Sequence, residues 1–201
     1  MSALRVVAVL APLLAALGAA AALAFAGRRP FAVRLGWAAA PLGVLLLALA
    51  PGEAFGPCAA LTAAFWLLSV AVFLLAEQLR AGPAAAQAAA SLVAVALSGA
   101  VFCFAPVLDH ALRTGLPAEE LGRRMTLAQE LSPIAVLERD VFRSDFVHRP
   151  YFYAKDIDFA SYIHPDPSWR SSAARTTGLA GLFAFPAALI AFARRRLGKS
   201  T

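Results

Sequence analysis

The sequence predicts an all-α fold: a polytopic integral membrane helical bundle of five transmembrane helices, with a long extracytoplasmic loop between the fourth and fifth. Three observations predict it. Of 201 residues, 61% are hydrophobic, and the mean hydropathy is +0.71; that is more apolar surface than a soluble core of this size buries. The apolar residues fall into runs that meet or approach the roughly 20 residues a helix needs to cross a bilayer. Basic residues flank alternate ends of those runs, as the positive-inside rule requires.

The first run is Val6 to Ala26, VVAVLAPLLAALGAAAALAFA. Its end, Ala24-Phe25-Ala26, also resembles a signal-peptidase site, so a cleaved export signal is the competing expectation. The run exceeds an ordinary signal core and only Arg5 precedes it, which favours a retained span. The second run is Leu35 to Leu49, the third Cys58 to Ala76, and the fourth Ala84 to Leu108, which carries no charge. The fifth, Thr176 to Ala193, stops at Arg194, Arg195 and Arg196. The expected organisation is therefore a four-span bundle over residues 1–108, an outer loop over 109–175, and a final span with a basic tail over 176–201.

Gly18, Gly43, Gly99, Gly178 and Gly181 lie inside or at the ends of these runs, amid many alanines. Small residues let helices approach closely where lipid offers no hydrophobic drive, so a packed bundle or an oligomer is expected. Pro12, Pro41 and Pro186 are expected to bend their spans. Cys58 and Cys103 each sit within an apolar run and read as small packing residues.

The charge pattern orients the chain. GRRPFAVR carries Arg28, Arg29 and Arg34; Arg80 follows the third run; Arg194, Arg195, Arg196 and Lys199 follow the fifth. Those eight basic residues share one side with a single acid, Glu77. The opposite PGEAFG turn has no basic residue. The expectation is an outside amino terminus and a cytoplasmic carboxyl terminus, in what is read as a bacterial cytoplasmic (inner) membrane. The net charge of +6 is thus a membrane-flank property, and no nucleic-acid partner is expected.

The segment from Asp109 to Arg175 is charged and aromatic. TGLPAEELGRRMTLAQELSP carries Pro117 as a first helical residue, Glu119 and Glu120 in the first turn, and Leu121, Met125, Ala128 and Leu131 along one face. In ELSPIAVLERDVF, Ser132 is placed to cap a helix with Pro133 at its first position, and Ile134, Leu137 and Val141 form a second apolar stripe. Two short amphipathic helices beside a membrane are expected to lie on its outer surface, because a segment of this length broken by Pro150, Pro165 and Pro167 builds little core. Tyr151, Tyr153, Tyr162 and Trp169 then read as an outer interfacial segment at the headgroup level. A metal site from His148, Asp156, Asp158, His164 and Asp166 is the sharper alternative, but the spacing matches no ligand pattern. Asp109 and His110 read as a solvated helix end rather than a ligand pair.

No Asp, Glu, Lys, Arg or His lies near the middle of any run, so ion-coupled pumping by this chain alone is not expected. There is no histidine inside a span to hold haem and no GxxxxGK[ST] to hold a nucleotide. The expectation is a protein that is not an enzyme, with no metal or cofactor.

ELSPIAVLERDVF followed by GLFAFPAALIAFARRRLGKS resembles the carboxyl-terminal portion of ABC-2 type transporter permeases. In that family the last two of six spans are joined by an external segment with short re-entrant helices, introduced by an Asn-Pro or Ser-Pro step, and the last span ends in an arginine-rich tail. The resemblance implies that the five runs stand for the second through sixth spans. It also implies that GRRPFAVR lies where the family places an ATPase-coupling element, making Arg28, Arg29 and Arg34 candidate partner contacts. The implied function is a permease-like subunit energised by a separate nucleotide-binding ATPase, with a second membrane subunit or a second copy as partner. The alternative is a non-catalytic scaffold or accessory subunit of a larger membrane complex, docking through its outer aromatic segment.

Overall fold

The computed structural model describes residues 3–27, 29–50, 54–99, 120, 124, 127, 129–142 and 168–197. Among them there is no strand. The long helices are α1 (Ala3–Ala26), α2 (Phe31–Leu49), α3 (Phe55–Gln78) and α4 (Pro83–Ser98). A short α5 (Pro133–Val136) runs directly into a π-helical turn (Leu137–Val141), and α6 (Trp169–Leu197) closes the order. Four helices, α1, α2, α3 and α6, are long and apolar enough to cross a membrane, while α4 is a shorter apolar helix.

Helix α3 is the centre. It packs on α1, α4 and α6, and α1 bridges α2 and α4. The packing sets bulk against smallness. Phe65, Phe73, Leu61 and Leu68 of α3 are fully buried. Facing them, α1 buries Ala8, Ala11, Ala15, Ala16, Ala19 and Ala20, and α4 buries Ala86, Ala90, Ala94 and Ser98 at four-residue intervals. Phe65 fits between Ala16 and Ala94, while Phe73 joins Ala19, Ala20, Ala86 and Ala90. An alanine stripe repeating every fourth residue lies along one side of a helix and lets a large knob from the neighbour reach the backbone.

Two polar side chains tie helices together inside the apolar layer. The Ser69 hydroxyl donates to the Ala16 carbonyl at 2.7 Å, and the Trp66 indole N–H donates to the Ala38 carbonyl at 2.7 Å. Thr62 instead donates within its own helix, to the Cys58 carbonyl at 2.6 Å. Such interhelical bonds are worth about 0.6 kcal/mol on average in a membrane protein, and up to about 1.7. Gly18 and Pro41 set the α1–α2 approach: a Cβ on Gly18 would meet the Pro41 Cβ at 2.8 Å, so only glycine fits without moving a helix.

The uncharged fourth run, expected from Ala84 to Leu108, is helical from Pro83 to Ser98 with Gly99 in a turn, and residues 100–108 lie outside the described residues. The Ser98 carbonyl accepts from the Ser132 hydroxyl at 2.8 Å, a contact that no local pattern announces. The structure departs from the sequence expectation in two places. The final helix begins at Trp169 rather than Thr176, because its first turns need a capped N-terminus and not apolarity. The stripe from Ile134 to Val141, expected to be α-helical throughout, changes to π winding at Leu137, where the Phe142 N–H reaches the Leu137 carbonyl at 2.9 Å.

Candidate functional site at the two ends of the bundle

The helices alternate in direction, so the functional candidates gather at two opposite ends. One end collects the carboxyl ends of α1, α3 and α6 with the amino ends of α2 and α4. Gly27 leaves α1 with φ of 54°, the left-handed conformation that commonly ends helices. Arg29 follows in an exposed bend, its guanidinium 5.5 Å over the Trp37 ring. Arg34, one turn into α2, pairs with Glu77 of α3 at 2.8 Å and lies 5.8 Å over the Phe73 ring. The approach is off-line for a hydrogen bond, so the contact is charge on charge, largely shielded from solvent. Arg194 of α6 donates to the Gln78 carbonyl at 2.6 Å and to its side-chain oxygen at 3.3 Å. That places a cation on the carboxyl end of α3, where exposed carbonyls favour positive charge.

Arg80 ends α3 in an unusual way. It has φ of 65° and is the one non-glycine with positive φ among the described residues. The Arg80 N–H reaches the Glu77 carbonyl at 2.9 Å and the Ala81 N–H the Ala76 carbonyl at 3.0 Å, the paired bonds of a Schellman end that usually employs glycine. Arg195 and Arg196 are exposed, with Arg196 4.6 Å over the Phe192 ring.

The other end is built by hydrogen bonds to backbone. Ser132 caps α5 as its sequence predicts, accepting from the Ala135 N–H at 3.5 Å while its own hydroxyl holds Ser98. Val136 and Leu137 are fully buried against Ala8, Val9, Leu49, Cys58 and Leu61, with Ile134 and Val141 packed on the same cluster. The Ile134, Leu137 and Val141 stripe thus seats this segment on the ends of α1, α2 and α3. Asp140 accepts from the Trp169 N–H at 2.8 Å, satisfying an orphan donor at the start of α6 with a charge suited to a helix amino end. Arg175 pairs with the buried Glu130 at 2.6 Å, and Arg5 lies 5.9 Å over the Phe142 ring. Sequence reasoning missed the roles of Asp140, Glu130 and Arg175, because in a segment this rich in charge no local pattern singles them out.

Of the candidate partner contacts, Arg29 is exposed and Arg34 is engaged within the bundle, while Arg28 lies outside the described residues. Of the outer interfacial residues, Trp169 is half-buried at the start of α6; Tyr151, Tyr153 and Tyr162 lie outside the described residues, as do His148, Asp156, Asp158, His164, Asp166, Asp109 and His110. Among the described residues no group of His, Cys, Asp and Glu is placed to hold a metal ion. No family model matches the chain, and neither a curated protein nor a solved structure matches it.

Proposed function

We propose that the chain is a membrane-embedded, permease-like subunit of an ATP-driven transport system of the ABC-2 type, energised by a separate ATPase and paired with a second membrane subunit or a second copy. The observation that supports this reading best is the relative position of its two motif segments. The Ser132-capped helix seats on one end of the bundle, and the arginines of the last turn of α6 stand at the other. In this reading the basic end faces the bacterial cytoplasm and meets the ATPase through Arg28, Arg195 and Arg196. The chain itself performs no bond chemistry.

The test is recovery of the chain from its native membrane. An ATPase should co-purify, and replacing Arg195 and Arg196 together by Gln should change its rate. Absence of any ATPase, or a rate indifferent to that double replacement, overturns the reading. Orientation is checked separately with reporters inserted near Asp156 and fused after Thr201, which should report opposite compartments.

A second reading, a scaffold or accessory subunit, is favoured by a different observation. Arg34, placed by the resemblance at a coupling element, is committed to Glu77, and Ser69 and Trp66 are both spent on holding helices together. Deleting Phe146 to Trp169 should then release a partner while insertion continues.

A further inference from the structure

We propose that the lipid-facing side of the α1–α2 turn is a binding site for one anionic glycerophospholipid of the leaflet at the basic end. Arg29 supplies the charge for its phosphate, and the outward stripe of α2 supplies the bed for an acyl chain.

The head of the site is an exposed cation on an exposed aromatic pair. Phe25 at the end of α1 is 75% exposed and Trp37 is 43% exposed; their ring centroids are 5.7 Å apart, tilted by 53°. Arg29 rests on the same indole, and among the described residues no carboxylate pairs with it. The nearest acid in the fold of this end, Glu77, is already taken by Arg34. A guanidinium with no carboxylate partner among the described residues, beside a Trp whose ring favours the headgroup level, is complementary to a phosphodiester.

Below the head runs the bed. Val33, Trp37, Ala40, Val44 and Leu47 are all exposed and fall on one stripe of α2. From Trp37 to Leu47 the helix rises about 15 Å, half of a hydrocarbon core of about 30 Å. The stripe is therefore one leaflet deep. The opposite side of α2 is fixed from behind: Ala38 is fully buried and its carbonyl is held by Trp66. Arg29 thus joins the head to the bed, since the Trp37 ring it rests on is the first exposed aromatic of the same stripe.

This site does not depend on an ATPase, so its test uses the purified full-length chain in detergent, titrated with phosphatidylglycerol or phosphatidylcholine and read by native mass spectrometry. One phosphatidylglycerol should be retained in preference to phosphatidylcholine. Arg29→Gln should lose about fivefold in that preference, the value of one cation at an anionic surface, while Arg195→Gln keeps it. Trp37→Leu, which leaves the stripe apolar, should also weaken retention. An equal loss from Arg29→Gln and Arg195→Gln would mean diffuse charge and overturn the site, as would equal retention of the two lipids. Displacement by inorganic phosphate at the same concentration would reduce the site to an ion contact and overturn the lipid assignment. If Arg29→Gln fails to fold, full retention by Trp37→Leu overturns the proposal by itself.

Discussion

Helices α2 and α3 are similar in composition and opposite in placement. Both are apolar along their length, yet 61% of the most apolar window of α3 is buried inside the bundle against 11% for α2. In water, hydrophobicity decides which side of a helix turns inward; in lipid both sides are equally content, and another variable must decide. Here it is shape and polarity. Helix α3 carries the knobs Phe65 and Phe73 and the donors Trp66 and Ser69, each with a receiving alanine or carbonyl on a neighbour. Helix α2 offers Val44 and Leu47 to the outside and leans on α1 with its other side, with Gly18 against Pro41 and Trp66 against Ala38 among the contacts.

The comparison breaks most easily at an alanine that receives a knob. Ala90 of α4 has no exposed surface, so Ala90→Leu should overpack the interface and cost about 1–3 kcal/mol, read as a lower thermal unfolding midpoint in detergent. A midpoint unchanged from the parent would mean that α3 and α4 are not held by shape. Arg80→Gly should move the other way, stabilising by about 1 kcal/mol, because a left-handed residue with a Cβ carries that strain. If the strained arginine serves a partner, the same variant should lose that partner while gaining stability. Ser69→Ala removes one interhelical bond and should cost about 0.6 kcal/mol. Leu47→Ala, on the outward side of α2, should stay within about 0.5 kcal/mol of the parent; a larger loss would show that α2 packs on something other than lipid.

Run length alone made α1, α2, α3 and α6 legible, since each coincides with an apolar stretch bounded by Gly, Pro or Arg. The Ser132–Pro133 start was legible because capping is local chemistry. The bond from Ser132 to the Ser98 carbonyl was not, because its partners lie 34 positions apart. The same holds for the basic end. Counting charges beside the spans finds Arg34 and Glu77 separately, but a count is blind to the pairing that removes Arg34 from the free surface. The π winding at Leu137 was hidden too, since an apolar stripe at Ile134, Leu137 and Val141 suits either helical pitch.

The contact between the Asp140 carboxylate and the Trp169 N–H is a clasp: the chain departs from and returns to one spot, 29 positions later. Changing the length of the segment that joins them should then cost the spans little, since doubling a closed loop costs only about 0.6 kcal/mol. The clasp thereby uncouples the packing of the described helices from the length of chain between Asp140 and Trp169.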